Sequence, residues 1–169
     1  MPTIRRYADA DCDAVRALFI RVNRELAPPH LTDAFENYIG RSLAEEIDRI
    51  PAYYGERRGS FWVATEESEI VAIFGLERPD AATAELRRMY VDAHARRGGV
   101  GRQMLDFAED VARREGCRLI VLSTSELQPA AISLYRASGY RLVREEVGAE
   151  QTNKTVGAGI RRFYFEKHI

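Results

Sequence analysis

The sequence has few of the residues that build metal centres or disulfide frameworks. Its 169 residues include two cysteines, Cys12 and Cys117, without a C-x-x-C motif, and three scattered histidines. Neither a zinc site nor a disulfide scaffold is indicated, so no metal is predicted. Both cysteines are expected to be small side chains that are buried or half-buried.

Long apolar runs and an excess of one charge are also lacking. The longest apolar stretch, residues 70–76, is far shorter than the roughly 20 residues of a membrane helix. The polar first residues do not resemble a secretory signal. Lys and Arg number 25 against 26 Asp and Glu, whereas domains that bind nucleic acid over their whole surface carry a basic excess. The sequence therefore predicts a cytoplasmic protein without a nucleic-acid or membrane partner.

The length and the ordinary composition, with 46% hydrophobic and 30% charged residues, favour one domain over residues 1–169. Apolar spacing predicts helices after an N-cap at Asp9, between Leu43 and Pro51, from Val100 to a stop at Gly116, and from Pro129. The order β-α-α-β-β-β-α-β-α-β-β predicts an α+β fold with a single mixed, mostly antiparallel sheet flanked by helices. The predicted strands are residues 3–7, 61–66, 69–78, 84–91, 118–124, 141–147 and 160–166, with a loose connection over residues 148–159.

A glycine-rich turn, residues 96–101, lies between a predicted strand and a predicted helix. Unpaired N–H groups and the dipole at a helix N-terminus attract anions, and glycine lets a phosphate approach closely. The turn is not a Walker loop, because no Gly-Lys-Ser/Thr follows. It is not a dinucleotide fingerprint either, because Met104 stands where the third glycine or alanine belongs. From the residues alone, the alternative is a glycine turn without a ligand.

Residues 85–102 resemble the acetyl-coenzyme A loop of the GNAT superfamily of N-acetyltransferases. Arg96, Gly99 and Gly101 match its pattern R-x-x-G-x-G/A. A later strand-helix unit, which ends in Leu134-Tyr135 and then Gly139-Tyr140, matches a second motif in the right order. The resemblance covers about residues 3–165 and is weakest over residues 28–60. Gln128 replaces the common Asn seven residues before Tyr135, as in a subgroup that includes the camello-like acetyltransferases.

The resemblance implies an acyltransferase that transfers the acetyl group of acetyl-coenzyme A, the acyl donor, to a primary amine of a small molecule or peptide. Transfer is expected by direct attack in a ternary complex. Tyr135 matches the general-acid tyrosine, and Glu85 stands where several members place the general base. Weaker candidates for the base are Tyr90, Asp92 and Glu126. The implied cofactor-binding residues are Met89, Tyr90, Val91, Arg96, Arg97, Gly98, Gly99, Val100, Gly101, Arg102, Thr124, Gln128 and Ala131, and the strand of Met89 is expected to splay from its neighbour.

The roles of Tyr135 and Glu85 each have a structural alternative without chemistry. In that alternative Tyr135 only packs its helix on the sheet. Glu85 would be an exposed strand-end carboxylate paired with Arg87 or Arg78. For the whole chain, the alternatives are a non-catalytic coenzyme A-binding or regulatory domain, favoured if Tyr135 and Glu85 face the core, and a partner-binding module. A homodimer stays open.

Charge is distributed unevenly along the chain. The region from Glu25 to Glu56 has seven acidic residues and two arginines, whereas residues 86–102 have five arginines and one aspartate. The basic segment predicts positive charge at the phosphate turn. The acids predict a wall that favours a cationic amine, lined by Phe35, Tyr38, Tyr53 and Tyr54. The alternative is that the acids form the solvated faces of amphipathic helices.

Overall fold

The computed structural model describes residues 1–148 and 150–169, so the predicted loose connection includes one residue, Ala149, that lies outside the described residues. The strands are β1 (Thr3–Arg6), β2 (Ser60–Glu66), β3 (Glu69–Asp80), β4 (Thr83–Val91), β5 (Leu119–Ser125), β6 (Arg141–Val147) and β7 (Arg161–His168). The helices are α1 (Cys12–Leu26), α2 (Thr32–Glu45), α3 (Ile50–Glu56), α4 (Val100–Arg114) and α5 (Pro129–Ala137). In the part of the chain that is described, no helix is long and apolar enough to cross a bilayer.

All seven strands form one sheet in the order β1-β2-β3-β4-β5-β7-β6. Only β4 and β5 are parallel, and α4 makes the crossover between them. The predicted α+β fold with a mixed, mostly antiparallel sheet is confirmed. The β2–β3 hairpin turns at Glu67 and Ser68, whose φ angles of 48° and 72° give the left-handed turn that matches the strand twist.

Hydrophobic clusters cover both faces of the sheet. On one face α4 and α5 pack through Met104, Leu105 and Tyr135. On the other face α1, α2 and α3 pack through side chains such as Phe19 and Tyr54. Strand residues alternate between the two clusters, as the period of two in a strand requires. Cys117 is buried and Cys12 is half-buried, as predicted.

Two details of the predicted helices are wrong. The single helix predicted to end at Pro51 is two helices, α2 and α3, and Pro51 lies in the first turn of α3. Proline is accepted there because the first helical N–H groups have no partner within the helix. Asp9 does not cap α1, since one turn of 3-10 helix precedes that helix. Asp11 instead accepts the Ala8 N–H at 2.8 Å and pairs with Arg5 at 2.7 Å.

The parallel strands β4 and β5 diverge along their length. They pair only where residues 83–85 meet residues 119–121, although β4 continues to Val91 and β5 to Ser125. A bulge also places one additional residue of β4 opposite β3, and Arg88 there has a φ angle of 54°. The divergence that the family resemblance implies is therefore present, and it opens a cleft in the middle of the sheet.

Candidate active site

The cleft between β4 and β5 contains a cavity that brings together residues from distant parts of the chain. Six of the predicted site residues line it: Glu85, Met89, Tyr90, Thr124, Gln128 and Tyr135. The sequence reasoning also placed Tyr38 at a pocket, and Tyr38 lines this one. The other lining residues are Leu86, Arg87, Arg88, Ser123, Lys154 and Arg162.

Tyr135 both packs α5 on the sheet and lines the cavity. Its ring centroid lies 5.8 Å from that of Tyr140 and 6.0 Å from that of Phe165. Burial raises the pKa of Tyr135 well above its usual value and Tyr90 adds to this, while the charge of Arg162 opposes it. The phenol is therefore protonated at neutral pH and has a proton to donate.

Glu85 lies where β4 and β5 begin to part. Its two carboxylate oxygens each lie 3.1 Å from Nζ of Lys154, which also contacts Glu77 at 3.0 Å. The partner is thus neither Arg87 nor Arg78, the two that the sequence suggested. Glu85 faces the cavity as one end of an ion pair, and any proton transfer to it competes with that pair.

The weaker candidates for a base are less well placed. Asp92 is buried, forms an ion pair with Arg21 and lies 3.3 Å from Nδ1 of His94. Burial would raise the pKa of Asp92, but the hydrogen bond and charge of Arg21 outweigh this and lower it. Burial raises the pKa of Tyr90 to about 12, so this phenol keeps its proton at neutral pH. Glu126 is exposed beyond the end of β5 and lines neither cavity of this region.

A buried ionic network supports the β4 side of the cavity. Glu46 is fully buried and accepts two hydrogen bonds from Arg88, at 2.9 and 3.0 Å. Arg87 lies 2.9 Å from Glu46 and 3.1 Å from Glu77. Burial would raise the pKa of Glu46, but the charges of Arg88 and Arg87 prevail and lower it. Both arginines are thus neutralised inside the protein, and the prediction that they add charge to the phosphate turn is wrong.

The connection between β6 and β7 is fixed over this network by Asn153. Its backbone oxygen accepts hydrogen bonds from Arg88 and, at 3.3 Å, from Arg87. Its side-chain amide donates to the Tyr53 hydroxyl at 3.1 Å and to Glu46 at 3.3 Å. This connection carries Lys154 and thus forms one wall of the cavity.

The glycine-rich turn leads into α4 next to the cleft. Arg97 and Gly99 have φ angles of 68° and 80°, and Gly99 is the N-cap residue of α4. The N–H groups of residues 100–102 lie in the first turn of α4, so they have no hydrogen-bond acceptor within the helix. A Cβ atom on Gly101 would lie 3.2 Å from Cδ2 of Leu134 and 3.7 Å from Cε of Met89, so the turn adjoins α5 and β4. Gly98 is exposed in this turn.

Two of the three arginines predicted at the turn already have protein partners. Arg96 donates to the Val91 backbone oxygen at 3.0 Å and to Glu25 at 3.2 Å. Arg102 pairs with Asp106 at 3.0 Å. Arg97 forms no salt bridge to any residue that the structure describes. Ala131 is half-buried in α5, against the cluster that contains Tyr135.

A second cavity lies beside the first, between α1, α2 and the connection to β7. Four side chains line both cavities: Tyr38, Tyr90, Gln128 and Arg162. The rest of its lining is mixed, with the apolar residues Leu26, Phe35, Val156 and Ile160 and the polar residues Asn23, Ser125 and Thr155. The prediction of an aromatic lining thus holds for Phe35 and Tyr38, whereas Tyr53 and Tyr54 are buried beneath the first cavity.

The acidic residues from Glu25 to Glu56 do not form an unpaired wall. Six of the seven are in ion pairs with arginines, mostly on the surface, so the solvated-face interpretation is the better one. The pairs are Glu25–Arg96, Glu36–Arg24, Glu45–Arg41, Glu46–Arg88, Asp48–Arg16 and Glu56–Arg49.

Sequence reasoning missed Arg162 and Lys154 as cavity residues. Arg162 directly precedes three aromatic residues in its strand, and alternation places it on the face opposite to Phe163 and Phe165. A charged side chain on that face could have indicated a cavity residue. Lys154 lies in an irregular connection, for which neither periodicity nor a motif gives a position.

Comparison with known proteins gives consistent results. A model described as the Acetyltransferase (GNAT) family matches residues 19–140. The chain is 39% identical over 99 residues to Probable N-acetyltransferase 14 of Xenopus tropicalis, covering 57% of this chain and 48% of that protein. It is 36% identical over 115 residues to N-acetylaspartate synthetase of Danio rerio, covering 64% and 39%. The chain thus spans about half or less of the length of these curated relatives.

Solved structures show the same fold at low sequence identity. PaiA N-acetyltransferase from Thermoplasma acidophilum, in complex with coenzyme A, has a TM-score of 0.77 and 17% identity, covering 100% of this chain and 99% of that one. Ribosomal-protein-alanine N-acetyltransferase from Brucella melitensis has a TM-score of 0.74 and 20% identity, covering 99% of each chain.

Proposed function

The chain belongs to the GNAT acetyltransferase family, and from that premise we propose that it is an N-acetyltransferase. It would transfer the acetyl group of acetyl-coenzyme A to a primary amine of a small molecule or peptide by direct attack in a ternary complex. One observation carries the proposal: the divergence of β4 from β5 brings Tyr135 and Glu85 into one cavity beside the N-terminus of α4.

The residues around the cleft fit the donor. The free N–H groups of residues 100–102 and the dipole of α4 suit a pyrophosphate, and Gly101 lets the turn pack closely against Leu134 and Met89, where even a Cβ atom would be tight. Beyond Glu85 the edge of β4 that faces β5 has no ladder partner, and there the backbone at Met89, Tyr90 and Val91 suits the amides of pantetheine, although the Val91 oxygen already accepts from Arg96. Gln128 lies in the cleft with its amide oxygen 3.2 Å from the Thr124 hydroxyl, which leaves its NH₂ group for the donor.

The side chains in the cavity supply proton transfers. When bound, acetyl-coenzyme A supplies an activated carbonyl carbon. Tyr135 holds the proton that the departing thiolate needs, and its raised pKa keeps that proton in place before the reaction. Glu85 is the carboxylate positioned to take a proton from the amine, once its contact with Lys154 relaxes.

Location supports catalysis over the alternative of a non-catalytic coenzyme A-binding domain. That alternative is favoured if Tyr135 and Glu85 face the core, whereas both line the cavity.

Cys117 is given no role as a nucleophile, because it precedes β5 and does not line either cavity.

Thiol release from acetyl-coenzyme A tests the proposal. The chain is incubated with pools of small amines and peptides, and the products are identified by mass spectrometry. The expected result is thiol release that depends on the amine, with an equal amount of acetylated product. Coenzyme A binding without thiol release from any pool would support the non-catalytic alternative instead.

A further inference from the structure

Arg162 is placed to contact a substrate rather than to support the fold. It lines both cavities, and its Nη2 donates to the Ser123 hydroxyl at 2.9 Å across the paired strands β5 and β7. That contact fixes the guanidinium group but uses only one of its five N–H donors. Its charge opposes the effect of burial on Tyr135, so the guanidinium lies close to the proposed proton donor.

The other cations that line the first cavity each have carboxylate partners, of which Glu46 and Glu77 lie outside the lining. Three cations and three carboxylates are joined by ion pairs with N–O distances of 2.9 to 3.1 Å, and Arg57 also lies 3.4 Å from Glu77. Arg162 is outside this set, and no carboxylate among residues 1–148 and 150–169 lies within 4.0 Å of it. The cations are Arg87, Arg88 and Lys154, and the carboxylates are Glu46, Glu77 and Glu85.

Arg162 is therefore the cation of the lining without a carboxylate partner among the described residues, and it is half-buried on β7. A planar guanidinium with free N–H groups matches a carboxylate, to which it donates two parallel hydrogen bonds. We propose that Arg162 binds a carboxylate of the acceptor, so that the amine acetylated by this chain is an amino acid or a similar small amino carboxylate. The inference rests on the proposed acetyltransferase function and specifies its acceptor class. It replaces the cationic acceptor that the acidic residues suggested.

The second cavity gives the remainder of the acceptor a place. Arg162 lines both the cavity that contains Glu85 and the second cavity, whose lining combines Leu26, Phe35 and Val156 with polar residues. A carboxylate bound at Arg162 leaves the neighbouring amine on the Glu85 side. The side chain of the acceptor then extends towards the second cavity, whose mixed lining sets no requirement for an apolar side chain.

The test compares each amino acid with its own carboxamide, which removes the negative charge that Arg162 is proposed to bind. The panel contains the common amino acids, their amides and neutral alkylamines, each assayed for kcat/KM with the wild-type chain and with Arg162→Gln. Amino acid amides have less basic amines, so the neutral amine fraction favours the amide. We expect the wild type to prefer the acids by about tenfold or more. Arg162→Gln should lower kcat/KM for the acids by about 10- to 100-fold and change the amides by less than about twofold.

A neighbouring arginine provides the matched control. Arg161 lies on the same strand, is exposed and pairs with Glu145 at 3.2 Å, so Arg161→Gln should leave the preference unchanged. Equal use of acids and amides by the wild type would overturn the assignment of Arg162, as would acetylation of neutral amines alone. Both outcomes leave the acetyltransferase function intact. Absence of transfer to the panel with transfer to peptides in the earlier pools would overturn the acceptor class alone, and absence of transfer to both would contradict the proposed function as well.

Discussion

The hydroxyl of Tyr135 is the single group on which the proposed reaction depends most. Tyr135→Phe keeps the ring contacts with Tyr140 and Phe165 but removes the proton donor. General acid catalysis contributes about 10²- to 10⁴-fold, so we expect kcat to fall by about 100-fold or more. The dissociation constant of acetyl-coenzyme A, measured by calorimetry, should change by less than about threefold. Unchanged turnover at saturating substrates would remove Tyr135 from the mechanism.

Glu85 has a separate test, because a base and an acid affect opposite limbs of a pH profile. If Glu85 takes the proton of the amine, Glu85→Gln should lower kcat/KM at neutral pH and remove the acidic limb that the wild type shows. The measurement is kcat/KM as a function of pH with one acceptor. Glu126→Gln is the control, because Glu126 is exposed and outside both cavities. An acidic limb that persists in Glu85→Gln would assign the base elsewhere.

Among the elements, α2 and β4 are joined by the buried contact of Glu46 with Arg88 and Arg87. Removing one partner of a buried ion pair costs about 3–5 kcal/mol, because the remaining charge is left buried without compensation. We expect Glu46→Gln to lower the free energy of unfolding by about that amount, measured by urea denaturation at neutral pH. Glu36→Gln, which breaks an exposed pair with Arg24, should have little effect. Equal stability of the two variants would contradict the role of Glu46.

The same contact predicts how stability changes in acid. Because the pKa of Glu46 is lower in the folded chain than its usual value of 4.5, its contribution is fully present above that value. The contribution is lost as the pH falls through the lower, folded-state pKa. Below about pH 4.5 the wild type should therefore lose stability more steeply than Glu46→Gln. Parallel curves of unfolding free energy against pH for the two proteins would show that the pKa of Glu46 is the same in the folded and the unfolded chain.

Helices and strands that are determined by the spacing of neighbouring apolar residues were predicted well from the sequence. Elements that depend on contacts between distant residues were not, because such contacts leave no local pattern. The apolar spacing of α4 and the continuous apolar run of β5 each identify an element by themselves. Residues 28–60 are different, because the position of Glu46 is decided by Arg88, 42 positions away. The same holds for the site. Tyr135 and Gln128 lie in a motif, whereas Arg162 reaches the cavity only through the pairing of β7 with β5, which no local pattern specifies.

For the molecule as a whole, the net charge of −1 conceals internal pairing. Most of the acids that would have faced a cationic acceptor bind arginines, and two arginines near the phosphate turn lie in the buried network. Around the cleft, the arginines without a salt bridge to a described residue are Arg162 in the cavity and Arg97 at the turn. The kind of ligand that this protein binds therefore depends less on its overall composition than on the charges near the cleft that have no ion-pair partner.

Because both hydrophobic clusters share one sheet, the chain is expected to unfold as a single domain, and the donor should stabilise all of it together. Ligand at 100 times its dissociation constant contributes about 2.7 kcal/mol, and about 1 kcal/mol shifts the Tm of a domain of this size by about 2–4 °C. Saturating acetyl-coenzyme A should thus raise one cooperative transition by roughly 5–11 °C in a thermal scan.

Two glycine variants show whether that shift arises at the turn before α4. Gly101→Val places methyl groups into the space between Leu134 and Met89, so the shift with acetyl-coenzyme A should largely disappear. Gly40→Ala, in α2, adds a Cβ with no atom within 4 Å and should retain the full shift. Two separate transitions in the wild type would contradict the single domain. An equal shift in Gly101→Val and Gly40→Ala would place the donor away from the glycine turn, because only the first substitution changes the space there.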